Sequence, residues 1–289
     1  MNESSPICGL VLNYRDAART SACIQSLVEA GIMKVLVFDN SGPAPGIMDG
    51  DPQGFGEAEI AVVLSDRNLG FSAGVNRGLE GCALRWPGHW VLLVNNDAIV
   101  PPVVPGRLAE ALVGDTSAAV AFPRMRQGVE RIGWAWYHPW LALITLVPLP
   151  GSFRYASGCC QLIAPERTGL QPFDEHFFMY GEDIEFAWRL GREGFHQHLD
   201  DGSEIIHEGS ASSRRGSLFY ETLLVESHLR LASKLSGGRA GRYAILLLIR
   251  MAVLPLRASV RAIRLRTSAP LLGLVHGARR AMKPPAPYP

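Results

Sequence analysis

The sequence lacks the features of secreted and membrane-spanning chains. Its five cysteines include no C-x-x-C pair, and the odd number argues against a disulfide framework, so a reducing cytosol is the simpler expectation. The first residues form neither a basic segment nor a long apolar segment, so no secretory signal is expected. The nearest candidate for a spanning helix, Tyr243–Leu256, has 14 residues and is interrupted by Arg250 and Pro255. A spanning helix needs roughly 18–20 apolar residues, so we expect none.

Two phosphate-binding motifs are also missing. Neither G-x-G-x-x-G nor G-x-x-x-x-G-K-[ST] follows the first apolar run, so neither a dinucleotide-binding fold nor a P-loop NTPase is supported. The chain of 289 residues is 47% hydrophobic and 19% charged, so it can bury a sizeable core and is not disordered. Its length suits one large domain with appendages, or two domains.

Acidic residues are almost absent from the last quarter of the chain. Residues 214–289 contain 14 basic side chains and only Glu221 and Glu226, a net charge of +12. Residues 1–213 contain 14 basic and 25 acidic side chains, a net charge of −11. The total of +1 therefore conceals an acidic body and a basic extension. This asymmetry predicts an anionic partner, either a membrane surface or a nucleic acid.

Short apolar runs alternate with helical patterns over the first 125 residues. The pattern predicts four strands, at Ile7–Leu12, Val35–Phe38, Ile60–Leu64 and Trp90–Val94. It also predicts a helix capped by Asp16 and another around Ala73–Ala83. Later segments predict strands at Tyr155–Ala164 and Ser203–His207, a short helix at Asp183–Arg192, and basic helices from about Phe219. The alternation predicts an α/β fold, with a mostly parallel sheet covered on both faces.

Three predicted strands end in polar side chains. GLVLN ends in Asn13, VLVFDN in Asp39 and Asn40, and VLLVNND in Asn95, Asn96 and Asp97. Ligands of parallel α/β sheets bind at the carboxyl ends of the strands, so these side chains indicate a site. Asn and Asp also begin turns and cap helices after strands, which is the structural alternative for any one of them.

A glycine- and asparagine-rich segment, SDRNLGFSAGVNRG, occupies residues 65–78. Gly70 and Gly74 would let the backbone approach a ligand closely, and Arg67 could bind a phosphate group. Asn68 and Asn76 offer amide hydrogen bonds. A solvated loop charge is the alternative interpretation of Arg67.

In combination, these motifs resemble a known family. The order VLNY, FDNSG, NLGFSAGVNRG, VLLVNND, SGCCQLI, FFMYGEDIEFAWRLGREGF and IIHEGSAS, over roughly residues 7–212, is similar to the inverting, nucleotide-sugar-dependent family 2 glycosyltransferases. It is most similar to their rhamnosyltransferase-like branch, which builds bacterial surface polysaccharides. The resemblance implies a GT-A-type, mostly parallel sheet flanked by helices, here followed by a basic helical C-terminal extension. No Q-x-x-R-W motif of the processive polymerases is present, so we expect one sugar transferred per encounter.

The resemblance also implies a metal site. In such enzymes a strand-end D-x-D holds a divalent cation on the diphosphate, but the three positions here are Asn95, Asn96 and Asp97, so only the last is a carboxylate. Asp97 together with the diphosphate could hold Mg²⁺ or Mn²⁺. His207 resembles the late histidine ligand of the family and would favour Mn²⁺. A lone histidine with no ligand role is the alternative.

Glu182 and Asp183 precede the predicted helix 184–192, and family precedent assigns the general base to Asp183. That base would take the proton of the acceptor hydroxyl, which requires hydrogen-bond reach and a suitable pKa. An ordinary helix cap is the alternative, and one carboxylate can serve both purposes.

The remaining site residues follow from the same resemblance. Asp39 would pair with the base or ribose, Asn13 and Arg67 would line the same pocket, and Gly158 would lie beneath the donor sugar. The full set predicted to bind the nucleotide sugar is Asn13, Asp39, Asn40, Arg67, Asn68, Gly70, Asn76, Asn95, Asn96 and Gly158. Cys159 and Cys160 are expected to be packing residues because no histidine partner lies nearby in sequence. Trp134, Trp136 and Trp140 could stack on acceptor sugars, although such a cluster is as often a core or an interface.

The resulting hypothesis is a cytoplasmic enzyme that moves one sugar, L-rhamnose from dTDP-rhamnose in particular, to a saccharide or lipid-linked saccharide. Residues 1–213 would form the glycosyltransferase domain, with a nucleotide-binding half to residue 125 and an acceptor half after it. Residues 240–289 would lie on an anionic membrane at its cytoplasmic face, and no nucleic acid is expected.

Four alternatives remain open at this point. They are a UDP-sugar-dependent transferase of the same fold, a sugar nucleotidyltransferase, a glycoside hydrolase with paired carboxylates, and a catalytically inactive membrane-binding module.

Overall fold

The computed structural model describes residues 5–43, 55–208 and 216–283. The predicted domain boundary at residue 213 and the end of the IIHEGSAS motif lie outside these residues, as does most of the loop between residues 40 and 56. The described elements in chain order are β1 Ile7–Asn13, α1 Ala17–Glu29, β2 Lys34–Asp39, β3 Glu59–Leu64, α2 Gly70–Arg85, β4 Trp90–Asn95, β5 Ala98–Ile99, α3 Val104–Gly114, β6 Ala118–Gln127, β7 Glu130–Ile132, β8 Ala135–His138, β9 Leu143–Thr145, β10 Phe153–Tyr155, β11 Cys160–Ile163, α4 Pro165–Thr168, α5 Glu182–Arg192, β12 His196–His207, α6 Leu218–Leu235, α7 Ala240–Leu265 and α8 Ala269–Ala281.

A large mixed sheet forms the centre of the molecule. Its strand order is β3-β2-β1-β4-β11-β6-β12-β5, with β7 paired to β6. The first four strands are parallel, as the sequence predicts, whereas β11 is antiparallel to both of its neighbours. The register aligns Asn13 with Asp39 and Leu12 with Asn95, so the polar ends of β1, β2 and β4 lie at one edge of the sheet.

Strand alternation builds two apolar layers, one on each face of this sheet. Val11, Val37 and Val94 pack with α1 and α3, while Leu10, Leu36 and Leu93 pack with α2 and α5. Successive side chains of a strand point to opposite faces, so a near-continuous apolar run is what a strand buried on both faces requires. The predicted α/β fold with helices on both faces is confirmed.

Three boundaries predicted from the sequence were wrong; one of them is the strand expected at Ser203–His207, which begins at His196. The single strand expected at Tyr155–Ala164 is two strands, because the chain leaves the small sheet β10-β8-β9 after Tyr155 and enters the large sheet at Cys160. The helix expected from Ala73 begins at Gly70, so most of the expected glycine-rich loop is helical. The extra turn forms because the Phe71 N–H donates to the carbonyl oxygen of Phe178, 2.7 Å away.

The C-terminal helix α6 packs on α5 and on the small sheet. Leu231 and Leu235 of α6 share a buried cluster with Ile184 of α5 and with Tyr137 and Tyr155 of the small sheet. The segments on either side of the predicted boundary at residue 213 therefore build one common core.

Helix α7 carries a buried cation at its centre. Arg250 is fully buried and donates to the carbonyl oxygens of His228, Leu246 and Pro139 and to the Tyr137 hydroxyl. Within the described ranges, α7 alone is long and apolar enough to cross a membrane by length and composition, and 22% of its apolar window is buried in the protein. One face of α7 is thus fixed to the protein by a guanidinium group that needs those acceptors.

The basic side chains of α7 are not all exposed. Arg257 donates to the Ala142 carbonyl oxygen and contacts His228, and Arg261 forms an ion pair with Glu221. Arg264 and Arg266 are exposed. Residues 240–289 were expected to lie on an anionic membrane, but Arg257 and Arg261 cannot contribute their charge to it, because they lie on the side of α7 that packs against α6 and the small sheet.

Candidate active site

Buried polar side chains form a hydrogen-bonded network at the carboxyl ends of β1, β2 and β4. The Asn13 Nδ2 group donates to Asp39 Oδ1 at 2.9 Å, and the Asn13 Oδ1 atom accepts from the Thr20 hydroxyl at 3.0 Å. Asn96 Nδ2 donates to Thr20 Oγ1 at 3.0 Å. Asn13, Asp39 and Asn96 are buried, so the predicted meeting of these side chains is observed, with most of their polar atoms turned to one another.

A second network joins β2 to the start of α2. Asn40 is buried and donates through Nδ2 to the Gly70 carbonyl oxygen at 2.8 Å and to Asn68 Oδ1 at 3.1 Å. Its Oδ1 atom accepts from the Leu69 N–H at 2.8 Å. The amide of Asn40 is thus used to fix the turn that precedes α2.

Gly70 and Asn76, which were predicted to bind the nucleotide sugar, lie in closely packed positions. Gly70 has a φ of +82°, and a side chain there would overlap with the Phe178 carbonyl oxygen. Asn76 is fully buried and exchanges two hydrogen bonds with the backbone of Phe173. Both residues are buried, and their contacts hold α2 against the segment that leads into α5.

Arg67 and Asn95 keep accessible side chains at the same edge. Arg67 is exposed on the turn before α2, and Asn95, the last residue of β4, is partly exposed. Next to the buried Asn13–Asp39 pair, both side chains are accessible to a nucleotide-sugar donor.

Asp97 and His207 form a pair that fits a divalent cation. Asp97 Oδ1 lies 3.1 Å from His207 Nε2. Two neighbouring ligands of an octahedral ion with bonds of about 2.1 Å are about 3.0 Å apart, so the spacing suits both atoms on one ion. Among the described residues His207 Nδ1 has no hydrogen-bond partner, so the ring is oriented through Asp97. The carboxylate of the next residue, Glu208, forms an ion pair with Arg19, with Oε2 2.7 Å from Arg19 Nε.

Glu182 and Asp183 begin helix α5. The helix N-terminus favours negative charge, yet burial opposes it. Burial raises the pKa of Asp183 to about 7, and the backbone N–H of Gly158 partly offsets this shift. Burial, and then the charge of Asp183, raise the pKa of Glu182 well above its ordinary value. Within the described part of the chain, neither Asp183 Oδ1 nor Glu182 Oε2 has a hydrogen-bond partner. An acceptor hydroxyl could supply one, as a general base requires.

Gly158 lies against the carboxylate of Asp183, in the turn between β10 and β11. A Cβ atom on Gly158 would be 2.8 Å from Asp183 Oδ1 and 2.9 Å from Cζ of Phe71. The absence of a side chain therefore lets three segments meet: the turn after β10, the start of α2 and the start of α5.

Sequence reasoning missed two groups next to the two carboxylates. Tyr155 is buried, and burial with the nearby Asp183 charge raises the pKa of its hydroxyl. Ser227 of α6 packs against Gly181, directly before Glu182. Tyr155 sat within a predicted strand and could have been noticed as its one polar aromatic residue. Ser227 had no signal, since α6 was assigned to a separate extension.

The tryptophans do not form one cluster in the described residues. Trp134 packs edge-on against Phe122, and the Arg154 guanidinium lies 4.3 Å from its ring centroid. Trp136 lies on β8, whereas Trp140 is exposed beyond the strand, near Arg242 of α7. The three side chains are thus spread from the sheet edge to the C-terminal helices.

Cys159 and Cys160 are buried free thiols. Burial raises the pKa of Cys160 to about 12 and that of Cys159 well above its ordinary value. A thiol that stays protonated is a poor nucleophile, which agrees with the predicted packing role.

Comparisons with known proteins bear on the family resemblance and on the fold. No protein-family profile matches the sequence. The N-acetylglucosaminyl-diphospho-decaprenol L-rhamnosyltransferase of Mycobacterium tuberculosis is 27% identical over 224 residues, which cover 66% of this chain and 71% of that protein.

Two solved structures are similar in fold. A mannosyltransferase from Pyrobaculum calidifontis, in complex with GDP-Man and Mn²⁺, has a TM-score of 0.56 at 14% identity, covering 97% of this chain and 88% of its own. GalNAc-T7, with UDP, GalNAc and Mn²⁺, has a TM-score of 0.59 at 12% identity, covering 92% of this chain and 59% of its own. At these identities the likeness concerns the fold.

Proposed function

We propose, from the premise that this chain is a rhamnosyltransferase-like family 2 glycosyltransferase of the GT-A fold, that it transfers one L-rhamnosyl group from dTDP-rhamnose to a lipid-linked saccharide. The single observation that carries the proposal is the placement of Asp183, with a pKa of about 7 and an unpartnered Oδ1, beside the turn at Gly158. The family relationship and the Mycobacterium tuberculosis rhamnosyltransferase support the choice of donor and acceptor class.

Asp183 acts as the general base in this proposal. A carboxylate with a pKa near 7 is strong enough to take a proton from a sugar hydroxyl and is still substantially ionised at neutral pH. Its Oδ1 accepts the hydrogen bond of the acceptor hydroxyl, whose oxygen attacks the anomeric carbon from the side opposite the diphosphate. The bond to the diphosphate breaks as the new glycosidic bond forms, so the anomeric configuration inverts.

Asp97 and His207 would hold the divalent cation, which when bound neutralises the charge that develops on the departing diphosphate. Imidazole ligation favours Mn²⁺ over Mg²⁺. Arg67 is exposed at the same sheet edge and provides a fixed positive charge for the phosphates. Asp39, which accepts a hydrogen bond from Asn13, is proposed to face the base or ribose. The hydrogen bonds of Asn40, Asn68 and Asn96 stabilise the arrangement of side chains at this edge of the sheet.

The outward face of α7 is proposed to lie on an anionic membrane that contains the acceptor. Exposed apolar residues recur along this face, opposite the one that buries Leu246, Arg250, Leu254 and Ala258; they are Ile245, Leu248, Met251, Leu256, Val260 and Ile263. A helix that is apolar on both faces needs a second apolar environment. The acceptor's lipid would then place the reaction at the cytoplasmic side of the membrane.

The segment between β8 and β10 packs against the buried face of α7 and carries a second set of exposed apolar residues. Arg257 of α7 donates to the Ala142 carbonyl oxygen, and Ala142 packs in one cluster with Leu254. The exposed apolar residues of this segment are Leu141, Leu143, Ile144, Leu146 and Val147. With the exposed cations Arg264 and Arg266 at the end of α7, the surface combines the two attractions of a peripheral membrane protein.

The test measures release of nucleoside diphosphate from dTDP-rhamnose and from UDP-sugars, with Mn²⁺ and a lipid-linked acceptor. Asp183→Asn is expected to lower turnover by about 10²- to 10⁴-fold while leaving nucleotide binding intact. Asp201→Asn, at an exposed residue that pairs with Arg124, is the control and should turn over normally. Near-normal turnover of Asp183→Asn would show that Asp183 is not the general base. Release of pyrophosphate instead would identify a nucleotidyltransferase.

A further inference from the structure

A second group of metal-ligand side chains lies at the opposite edge of the large sheet. His196 and His198 begin β12, where His196 pairs with Ala118 at the start of β6. Asp115 caps the end of α3, just before β6. His207, at the other end of β12, pairs with Ala98 beside Asp97. β12 runs beside β6 only from Ala118 to Arg126, so at about 3.3 Å per residue its two ends are roughly 26 Å apart, and this group is separate from the candidate active site.

Strand geometry brings both imidazoles to one face. His196 and His198 are two residues apart and therefore point the same way, while Gln197 between them points inward and accepts from the Ala156 N–H at 2.9 Å. His196 Nε2 lies 2.9 Å and His198 Nδ1 3.8 Å from the same oxygen, Oδ2 of Asp115. One ligand atom from each of the three side chains lies within 4.8 Å of the others.

The carboxylate of Asp115 is fixed so that one oxygen remains for a ligand. Its Oδ1 accepts three hydrogen bonds, from the Ser117 hydroxyl at 2.7 Å and the N–H groups of Ser117 and Ala118 at 3.1 and 3.2 Å. These bonds to the ionised form, the Ser117 hydroxyl first, lower the pKa of Asp115 to about 2. Arg167 closes the same turn by donating to the carbonyl oxygens of Asp115 and Ala118, so its charge is directed at backbone.

We propose that Asp115, His196 and His198 bind a divalent transition-metal ion of the Zn²⁺ type. Two imidazole nitrogens and one carboxylate oxygen form a donor set that zinc takes in tetrahedral sites, with water in the fourth position. Hard oxygen-seeking ions such as Mg²⁺ and Ca²⁺ are disfavoured by the two nitrogens. The three side chains are between 29% and 42% exposed, which leaves room for that water.

Such an ion would join the end of α3 to the start of β12. The His196 N–H already donates to the Ser117 carbonyl oxygen at 3.0 Å, so the ion adds a second link across the same junction. An ion bound only by the folded chain stabilises it in proportion to its affinity and concentration. The effect proposed for the ion is stabilisation of this junction, at a place separate from the residues proposed for sugar transfer.

The experiment titrates ZnCl₂ into the full chain after chelator treatment, without nucleotide, by isothermal calorimetry. The wild type is expected to bind Zn²⁺ at this site and to melt at a higher temperature with Zn²⁺ present. The double variant His196→Asn/His198→Asn should bind Zn²⁺ there at least about 100-fold more weakly and lose the Zn²⁺-dependent shift in melting temperature. Asp115→Asn, which is nearly isosteric and keeps both imidazoles, should also lose affinity.

Two matched variants separate this site from other binding. His89→Asn/His276→Asn removes two histidines elsewhere and should bind like the wild type. Asp97→Asn/His207→Asn removes the catalytic pair and should keep the Zn²⁺-dependent shift. The proposal is overturned if His196→Asn/His198→Asn binds Zn²⁺ like the wild type, or if the catalytic-pair variant loses all Zn²⁺ binding. Normal sugar transfer by His196→Asn/His198→Asn is expected whether or not the proposed donor is the correct one.

Discussion

Asp97 and His207 are 110 positions apart in the chain, yet their side chains lie 3.1 Å from each other, Oδ1 to Nε2. The two-residue strand β5 brings them together, because it pairs Ala98 with His207 and lets the Asp97 carbonyl oxygen accept the Glu208 N–H at 3.1 Å. A short antiparallel pairing at the end of the sheet thus supplies the carboxylate–imidazole pair that the substituted NND sequence could not supply alone.

Loss of either member of this pair should weaken metal binding in the presence of nucleotide. His207→Ala removes one of the two proposed protein ligands, and Asp97→Asn replaces the carboxylate with a neutral amide. We expect the Kd for Mn²⁺, measured with dTDP bound, to rise at least about tenfold for each variant. His196→Asn/His198→Asn is the control and should leave this Kd unchanged. Unchanged Mn²⁺ affinity in His207→Ala would exclude the imidazole as a ligand.

Turnover should depend on pH through the carboxyl of Asp183. The ionised form is the base, and its pKa is raised to about 7 by burial. Below that pH the proton is already bound, so kcat/KM should fall about tenfold for each unit of pH, and it should level off above pH 7. The measurement is a pH–rate profile between pH 5 and 9 at saturating Mn²⁺. A flat profile across this range would contradict the assignment.

The buried carboxyl of Asp183 should lower the free energy of unfolding at alkaline pH. The folded chain holds the Asp183 proton up to about pH 7, whereas the ordinary value is 3.8, so the folded state binds more protons between these limits. Its contribution to the free energy of unfolding therefore falls as the pH rises through this window. At pH 8, Asp183→Asn should raise the free energy of unfolding by about 1–3 kcal/mol. Thermal melts at pH 8 and pH 4 test this, and the gain should shrink at pH 4.

A side chain at position 158 should damage catalysis more than folding. In Gly158→Ala the new Cβ would be 2.8 Å from Asp183 Oδ1, which must move to relieve the contact. We expect kcat to fall by about 10- to 100-fold, since a displacement of about 1 Å can cost a factor of that size. Gly106→Ala on α3 is the control, because its Cβ would meet nothing within 4 Å. Full activity of Gly158→Ala would show that the base lies elsewhere.

Charges on the outward face of α7 should abolish membrane binding. Leu248 and Ile263 are 67% and 79% exposed, so Leu248→Glu/Ile263→Glu leaves the core intact. Each substitution removes the burial of one large apolar side chain in the lipid, and we expect roughly tenfold weaker partitioning for each. Co-sedimentation with liposomes rich in anionic lipid measures this. Leu84→Glu on α2, where Leu84 is 88% exposed, is the matched control. Equal sedimentation of both variants would place the contact elsewhere.

The fold was largely readable from the sequence because buried strands and capped helices leave local signals. The apolar run at residues 7–12 and the cap at Asp16 both appear where expected, and the Asp16 side chain accepts from the Arg19 N–H. The start of α2 was not readable, since its first turn depends on the Phe178 carbonyl oxygen, more than 100 residues along the chain. Long-range backbone contacts of this kind leave no periodicity.

The sequence predicted which residues lie near one another at the candidate site better than it predicted the contacts between them. The polar residues at the strand ends correctly predicted that Asn13, Asp39 and Asn96 lie together. They could not show that these side chains would form hydrogen bonds with one another. Asn76 and Gly70 looked like ligand-binding residues because Asn and Gly serve equally well to pack a helix against a neighbouring segment. Which use applies depends on burial, and burial is a property of the whole fold.

The packing of α6 against α5 sets an order of events during synthesis. Ile184 of the catalytic helix shares its apolar cluster with Leu231 and Leu235, which leave the ribosome about 50 residues after it. A nascent chain that ends before α6 can pack Phe186 and Leu190 of α5 on the large sheet, but it lacks the α6 side chains that complete the cluster around Ile184. We expect a growing chain to bind nucleotide before it can transfer a sugar.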